Sequence, residues 1–326
     1  MISYPLIWLC LIAFVIIMYI ILDGFTLGVG LLFPWIRNSK ERDTMISTVL
    51  PLWDGNETWL VFAGAALYAG FPDAFGVLMS ALYMPIMLLI VGLLFRGVSF
   101  EFIHKATSSV HVWEKCFFAG SLMAVIAQGL VIGSYVQGFV IDNGHIVVLS
   151  FFNWFNLFCI IALILGYTLL GSARLMKKTH GELQLRFFRV SGLLQWLLFV
   201  SVLFVGFYSP SLAKISLVNS PFILMFAIVV SILMIIHAFA IKRQIENLPF
   251  LALIGIYLIA YIGFILSSLP YIVPKQMTFM EAKVDDGAYI LMLYAVSVLL
   301  PLLLFYTAYA YHIFGGKVDE TKKLTY

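Results

Sequence analysis

The chain has 326 residues, of which 63% are hydrophobic and 11% charged, with a mean hydropathy of +1.05. Soluble domains carry about 25% charged residues, so this composition excludes a water-soluble globular protein and indicates an integral membrane protein that crosses the bilayer repeatedly. The net charge of +3 reads as basic loops facing anionic lipid, not as a nucleic-acid surface.

Hydrophobic runs of about 20 residues, each able to cross roughly 30 Å of hydrocarbon as a helix, recur along the chain. They predict nine spans, near residues 5–33, 46–70, 74–95, 117–139, 152–173, 190–208, 221–241, 250–271 and 287–314. The first run lacks the basic flank and small-residue cleavage site of a secretory signal and reads as a mature span. Charge tests the count independently. The connections after spans one, three, five and seven, together with the C-terminal tail, hold 16 of the 19 Lys and Arg, and only Lys214, Lys275 and Lys283 fall on the other side. By the positive-inside rule the N-terminus lies outside and the C-terminus in the cytoplasm.

The expected architecture is all-α and polytopic, with nine transmembrane helices. The polar stretch Ile141 to Gly144 separates a first four-helix bundle (1–140) from a second (141–286), and a ninth helix with a cytoplasmic tail follows (287–326). The longest cytoplasmic connection, Arg174 to Arg189, mixes basic residues with Leu183, Leu185, Phe187 and Phe188 and reads as a loop lying partly at the interface. Cys10, Cys116 and Cys159 share no close spacing, which argues against a zinc site, an iron–sulfur site or a disulfide framework.

Chemistry concentrates in the first two spans. Asp23 follows a long apolar run, in Asp23-Gly-Phe-Thr-Leu-Gly-Val-Gly30, and Asp54 and Glu57 lie in Trp53-Asp-Gly-Asn-Glu-Thr-Trp59. A charge at membrane depth costs roughly 3 kcal/mol even on mild insertion scales, and such residues mark proton or ion routes. Asp23 lies 14 residues before Arg37 and Asp54 lies 12 after Arg42, so both sit roughly 20 Å from the cytoplasmic boundary at about 1.5 Å per residue and are expected to face one another. Glu57, three residues on, shares the face of Asp54. Asn56 and Thr58 are candidates to hold bridging water. Two readings compete: a carboxylate chain that conducts protons, and a hydrogen-bonded polar cluster that locks helices together. Trp53 and Trp59 sit deeper than an interfacial belt and read as cavity walls or as faces toward a partner's cofactor. Gly24 and Gly28 occupy one helix face and are expected to mark a close helix crossing.

Of six histidines only His237 lies clearly within a span. No pair stands at matching depth on facing helices, so the chain is expected to bind neither haem nor metal itself. A secondary transporter would also place acids near mid-membrane, but it predicts broken helices at equivalent places in two halves, and Pro85 and Pro301 do not pair in that way.

These motifs, with Phe95-Arg96, Phe100-Glu101, Gly181-Glu-Leu-Gln-Leu-Arg186 and Tyr306-Thr-Ala-Tyr309, resemble subunit II of the cytochrome bd-type quinol oxidases, and the short chain is similar to the bacterial branch that includes the cyanide-insensitive enzymes. The resemblance implies two four-helix bundles plus one peripheral helix, in the bacterial cytoplasmic membrane. It implies a haem-bearing subunit I, with b-type and d-type haems, as partner. In such a complex quinol reduces dioxygen to water with protons drawn from the cytoplasm, electrogenically and without pumping, and this chain alone is not catalytic. Lipid and quinol are implied as further partners, and a small accessory subunit is compatible. By the same resemblance Asp23, Asp54 and Glu57 form a proton path, with Asn56, Arg96 and Glu101 in support. The family's first motif often carries a second acid where this chain has Thr26, so a path relying on that acid would be weakened or rerouted.

Overall fold

The computed structural model describes residues 3–318 apart from 104, 107, 140, 143, 144, 147–150 and 209–220. Gly144, Lys214 and the end of the tail, used above, lie outside the described residues. The described chain is almost wholly helical: α1 (Tyr4–Leu32), α2 (Ser39–Ser47), α3 (Trp53–Gly70), α4 (Pro72–Ala81), α5 (Tyr83–Ile103), α6 (Val110–Gln137), α7 (Trp154–Lys178), α8 (Gly181–Tyr208), α9 (Pro221–Lys242), α10 (Leu248–Ser268) and α11 (Asp286–Ile313). Two small antiparallel hairpins interrupt them, β1 (Ile141–Asp142) with β2 (His145–Ile146), and β3 (Tyr271–Val273) with β4 (Met277–Thr278).

Eight of these helices are long and apolar enough to cross a membrane. The expected second span, 46–70, resolves into the end of α2, a turn and α3. That helix rises about 27 Å over its 18 residues at 1.5 Å each, but Asp54, Asn56 and Glu57 fill its first two turns and make it less apolar than the eight. The expected third span also divides. Pro72 lacks an amide hydrogen and holds Phe71 out of the helical region, at φ −141° and ψ 64°, so α3 stops there. The short α4 follows, and α5 runs eight residues beyond the expected end, carrying Arg96 inside the helix. Likewise the expected loop 174–189 is mostly helix. α7 continues to Lys178 and α8 begins at Gly181, so Arg174, read as a loop cation, lies within α7. Helix formers on both sides and a Gly181 at φ +60° make a two-residue corner sufficient.

Lipid tails are as apolar as leucine, so close packing has to supply the attraction between helices. The crossing of α1 with α7 shows how. A Cβ on Gly28 would collide with the Tyr167 carbonyl, and one on Gly171 would meet the backbone of Gly28 and Val29. The two backbones touch, as the glycine spacing predicted, and α1 thereby packs on a helix from beyond residue 140. Around the C-terminal half of α1 an apolar cluster includes Phe25, Val29, Phe33, Phe100, Phe117, Leu169 and Phe187. Around its N-terminal half another includes Trp8, Ile12, Phe71, Val273 and Tyr289. Hydrogen bonds to carbonyls of the last turn of α3 tie this second end together: Trp8 Nε1 donates to Ala66 O at 2.8 Å and the Tyr289 hydroxyl to Gly70 O at 2.6 Å. Between the two clusters lies a polar layer, and it contains the acidic residues.

Candidate functional site

The buried residues of α3 are Asn56, Trp59, Ala63, Ala66 and Gly70, spaced three or four apart, so they make one inward stripe. At 100° per residue, Glu57 stands on the flank of that stripe and Asp54, about 200° from Asn56, points away from it. The structure follows this register. Asp54 is exposed in the first turn of α3, while the Glu57 side chain is 24% exposed and reaches inward.

What Glu57 reaches is Arg96. The arginine side chain is fully enclosed, with Nη1 donating to Asp23 Oδ1 at 2.6 Å and Nη2 to Glu57 Oε1. Asp23 is also fully enclosed. One guanidinium from α5 thus joins a carboxylate from α1 and another from α3. Arginine suits the position because its donors are spread over a rigid planar fork and it keeps its proton at any accessible pH. The arrangement is unsaturated: Asp23 Oδ2 and Arg96 Nε have no hydrogen-bond partner among the described residues. Two carboxylates against one fixed cation leave one negative charge in excess when all are ionised, and in a medium of low polarizability one added proton cancels it.

Asn56 fastens the layer from the other side. Its Nδ2 donates to Leu22 O at 2.7 Å and lies 3.3 Å from Thr26 Oγ1, and its Oδ1 accepts from the Tyr311 hydroxyl at 3.0 Å. Thr26 is a fully buried polar contact beside the cluster. A further chain lies one turn away on α1: the Tyr167 hydroxyl donates to Gln128 Oε1 at 2.7 Å, and Gln128 Nε2 donates to the Tyr19 hydroxyl at 3.1 Å. Tyr19 and Asp23 are four apart on α1 and share a face.

The structure thus brings Asp23, Glu57, Asn56 and Arg96 together. Asp54 is set outside them, facing away from Asp23 and not toward it, and Glu101 is elsewhere, exposed at the end of α5 and paired with Lys105 at 3.0 Å. Trp59 is fully buried edge-on to Phe14, and Trp53 lies against Phe100. Tyr19, Gln128, Tyr167 and Tyr311 were missed by the sequence reading. A lone glutamine in the apolar stretch of α6 was the available signal for Gln128, since a polar side chain there needs a partner; the tyrosines carry none, because a tyrosine in a span is unremarkable in sequence. His237 is enclosed, with Nδ1 2.6 Å from Gln195 Oε1 and Nε2 sealed without a partner among the described residues. A haem iron needs an imidazole nitrogen that opens on space for the macrocycle, and His237 does not fit that need.

Three comparisons place this geometry among known proteins. Residues 4–314 match the model of the family described as "Cytochrome bd terminal oxidase subunit II". Cytochrome bd ubiquinol oxidase subunit 2 of Bacillus subtilis is 26% identical over 332 residues, covering 98% of both chains. Cytochrome bd-I ubiquinol oxidase subunit 2 of Escherichia coli is 33% identical over 190 residues, covering 55% of this chain and 50% of the relative. A chain in the solved structure of bd oxidase from Geobacillus thermodenitrificans superposes with a TM-score of 0.79 at 18% identity, covering 96% of this chain and 99% of that one, a likeness of fold.

Proposed function

The chain belongs to the cytochrome bd terminal oxidase subunit II family, and from that premise we propose that it delivers protons from the cytoplasm to an oxygen-reducing partner subunit through Glu57, Arg96 and Asp23. The observation that carries this reading is the graded enclosure of three acids: Asp54 exposed on the outer side of α3, Glu57 one quarter exposed, Asp23 sealed. A proton entering beside Asp54 meets Glu57 first. Protonated Glu57 loses its hold on Arg96 Nη2; when the guanidinium swings back toward Glu57, that acid ionises again and Asp23, released, takes up the proton, so the proton and the arginine's charge exchange places between the two carboxyls. Arg96 itself never gives up a proton. It sets the occupancy, since the pair of acids around it is neutralised by one proton and resists a second.

In this reading α3 is a ninth crossing, the N-terminus lies outside and the C-terminus in the cytoplasm. The partner is the haem-bearing subunit of a bacterial quinol oxidase, quinol supplies the electrons, and the protons consumed in making water enter from the cytoplasmic side. The haems belong to that partner, and no step on this chain runs through them. A second reading has support in the same contacts: Arg96 joins α1, α3 and α5, and Asn56 joins α3 to α1 and α11, as a purely structural fastening would.

Oxygen uptake by the assembled complex with quinol separates the two. In Glu57→Gln the proton path predicts a loss on the order of 100-fold, the lower end of what a positioned proton-transfer group contributes, with assembly and haem spectrum retained. Full turnover in a fully assembled variant would leave only the fastening.

A further inference from the structure

A second buried arginine has no acid at all. Arg174 lies on α7 one turn before Lys178 and is 4% exposed. Its guanidinium carbon stands 4.8 Å from the centre of the Phe25 ring and 5.6 Å from that of Tyr311. Nε is enclosed without an acceptor, and among the described residues no carboxylate or carbonyl accepts a hydrogen bond from it. The acids within its part of the fold are taken: Asp23 and Glu57 by Arg96, Glu246 by Gln184 and Lys317, Glu41 by Arg186. Its nearest charged neighbours along the helix are cations, Lys177 and Lys178, and Lys178 Nζ is already spent on the carbonyls of Phe314 and Gly316.

A lysine there would escape the cost of burial by losing its proton, but an arginine cannot. Two aromatic faces offset part of the cost of an enclosed cation, and they accept none of its in-plane N–H groups. Full compensation needs an anion with oxygens to meet the fork. We propose that Arg174 is the receptor of a phosphate-type oxyanion, and that the headgroup of a membrane phospholipid supplies it. Depth favours the lipid as the source: Arg174 stands four residues, or about 6 Å of helix, from the end of α7, where the headgroups of a leaflet lie. The inference is independent of the proton path.

The test uses the whole complex, purified and washed in detergent, with dioleoyl phosphatidylglycerol and inorganic phosphate as separate probes. Native mass spectra should show one retained phospholipid per wild-type complex, lost in Arg174→Gln. Phosphatidylglycerol should raise the wild-type unfolding midpoint, and the concentration needed should increase at least about tenfold in Arg174→Gln and in Arg174→Lys, which keeps the charge without the fork. Stabilisation by inorganic phosphate with no retained lipid would keep the oxyanion site and assign it to the free ion. Equal responses to both probes in wild type and both variants would overturn the proposal. So would loss of subunit association in Arg174→Gln with the lipid response unchanged, because a partner's carboxylate would then be the missing anion.

Discussion

Arg96 and Arg174 are buried to nearly the same degree, 0% and 4% exposed, yet their surroundings are opposite in kind. Arg96 has two carboxylates and an excess of negative charge; Arg174 has two aromatic rings and no anion. In the proposed path the first arginine is a fixed charge around which a proton comes and goes. The second is a fixed charge that the protein alone leaves incomplete. Tyr311 links them, since its hydroxyl holds Asn56 and its ring covers Arg174. The difference teaches that buried cations of one type can be balanced in two ways, by acids that titrate or by rings that do not.

The contrast breaks most visibly at Arg96. Arg96→Leu strands Asp23 and Glu57 as uncompensated buried acids, and loss of one partner from such a site costs about 3–5 kcal/mol, so thermal unfolding of the complex should fall steeply. Arg174→Leu in lipid-free detergent should be neutral or stabilising, because the loss of about 2 kcal/mol of cation–ring attraction is set against relief of an unpaired ion. Equal losses in the two variants would erase the distinction. A double-mutant cycle sharpens it: Asp23→Asn combined with Arg96→Gln should be less destabilised than the sum of the two alone by about 0.5–3 kcal/mol, whereas Asp23→Asn with Arg174→Gln should simply add. Tyr311→Phe removes one hydrogen bond to Asn56 and should cost about 1 kcal/mol, leaving the ring over Arg174 and the lipid response intact.

The smallest effect lies outside the membrane layer. Glu246, between α9 and α10, accepts from Lys317 at 2.6 Å and Gln184 at 2.9 Å, and these bonds hold its carboxyl below its ordinary value of 4.5. An acid with a depressed value in the fold stabilises above the ordinary value, and that contribution is lost as pH falls through the folded one. Glu246→Gln should therefore flatten the decline of stability below about pH 4.5. The change should be slight, since the pair is solvent-screened at 41% exposure of the glutamate side chain, and identical acid profiles for wild type and variant would refute the role.

Much of this was legible in the sequence. Hydropathy gave a polytopic helical protein, and apolar surroundings singled out Asp23, Asp54 and Glu57. The turn of α3 was legible too, from Trp59, Ala63, Ala66 and Gly70, a stripe of inward residues that sets Asp54 on the far side; reading Asp54 and Glu57 by their spacing alone passed over it. Arg96 and Arg174 were counted as loop cations because each stands one residue past an expected apolar run. Hydropathy ends a span at the first charge, whereas a helix continues wherever tertiary partners hold it, as acids do for Arg96. That partnership joins residues 73 and 39 positions apart, and no local pattern records it. The break at Phe71–Pro72, by contrast, follows from proline chemistry that the sequence displays openly.

The central claim is that the acids around Arg96 carry protons, and the most direct measurement is proton uptake from the cytoplasmic face of vesicle-embedded complex after an oxygen pulse, in Asp23→Asn beside wild type. The account predicts that uptake and turnover slow together while the haem spectrum is unchanged. Uptake at the wild-type rate in the assembled variant would contradict it.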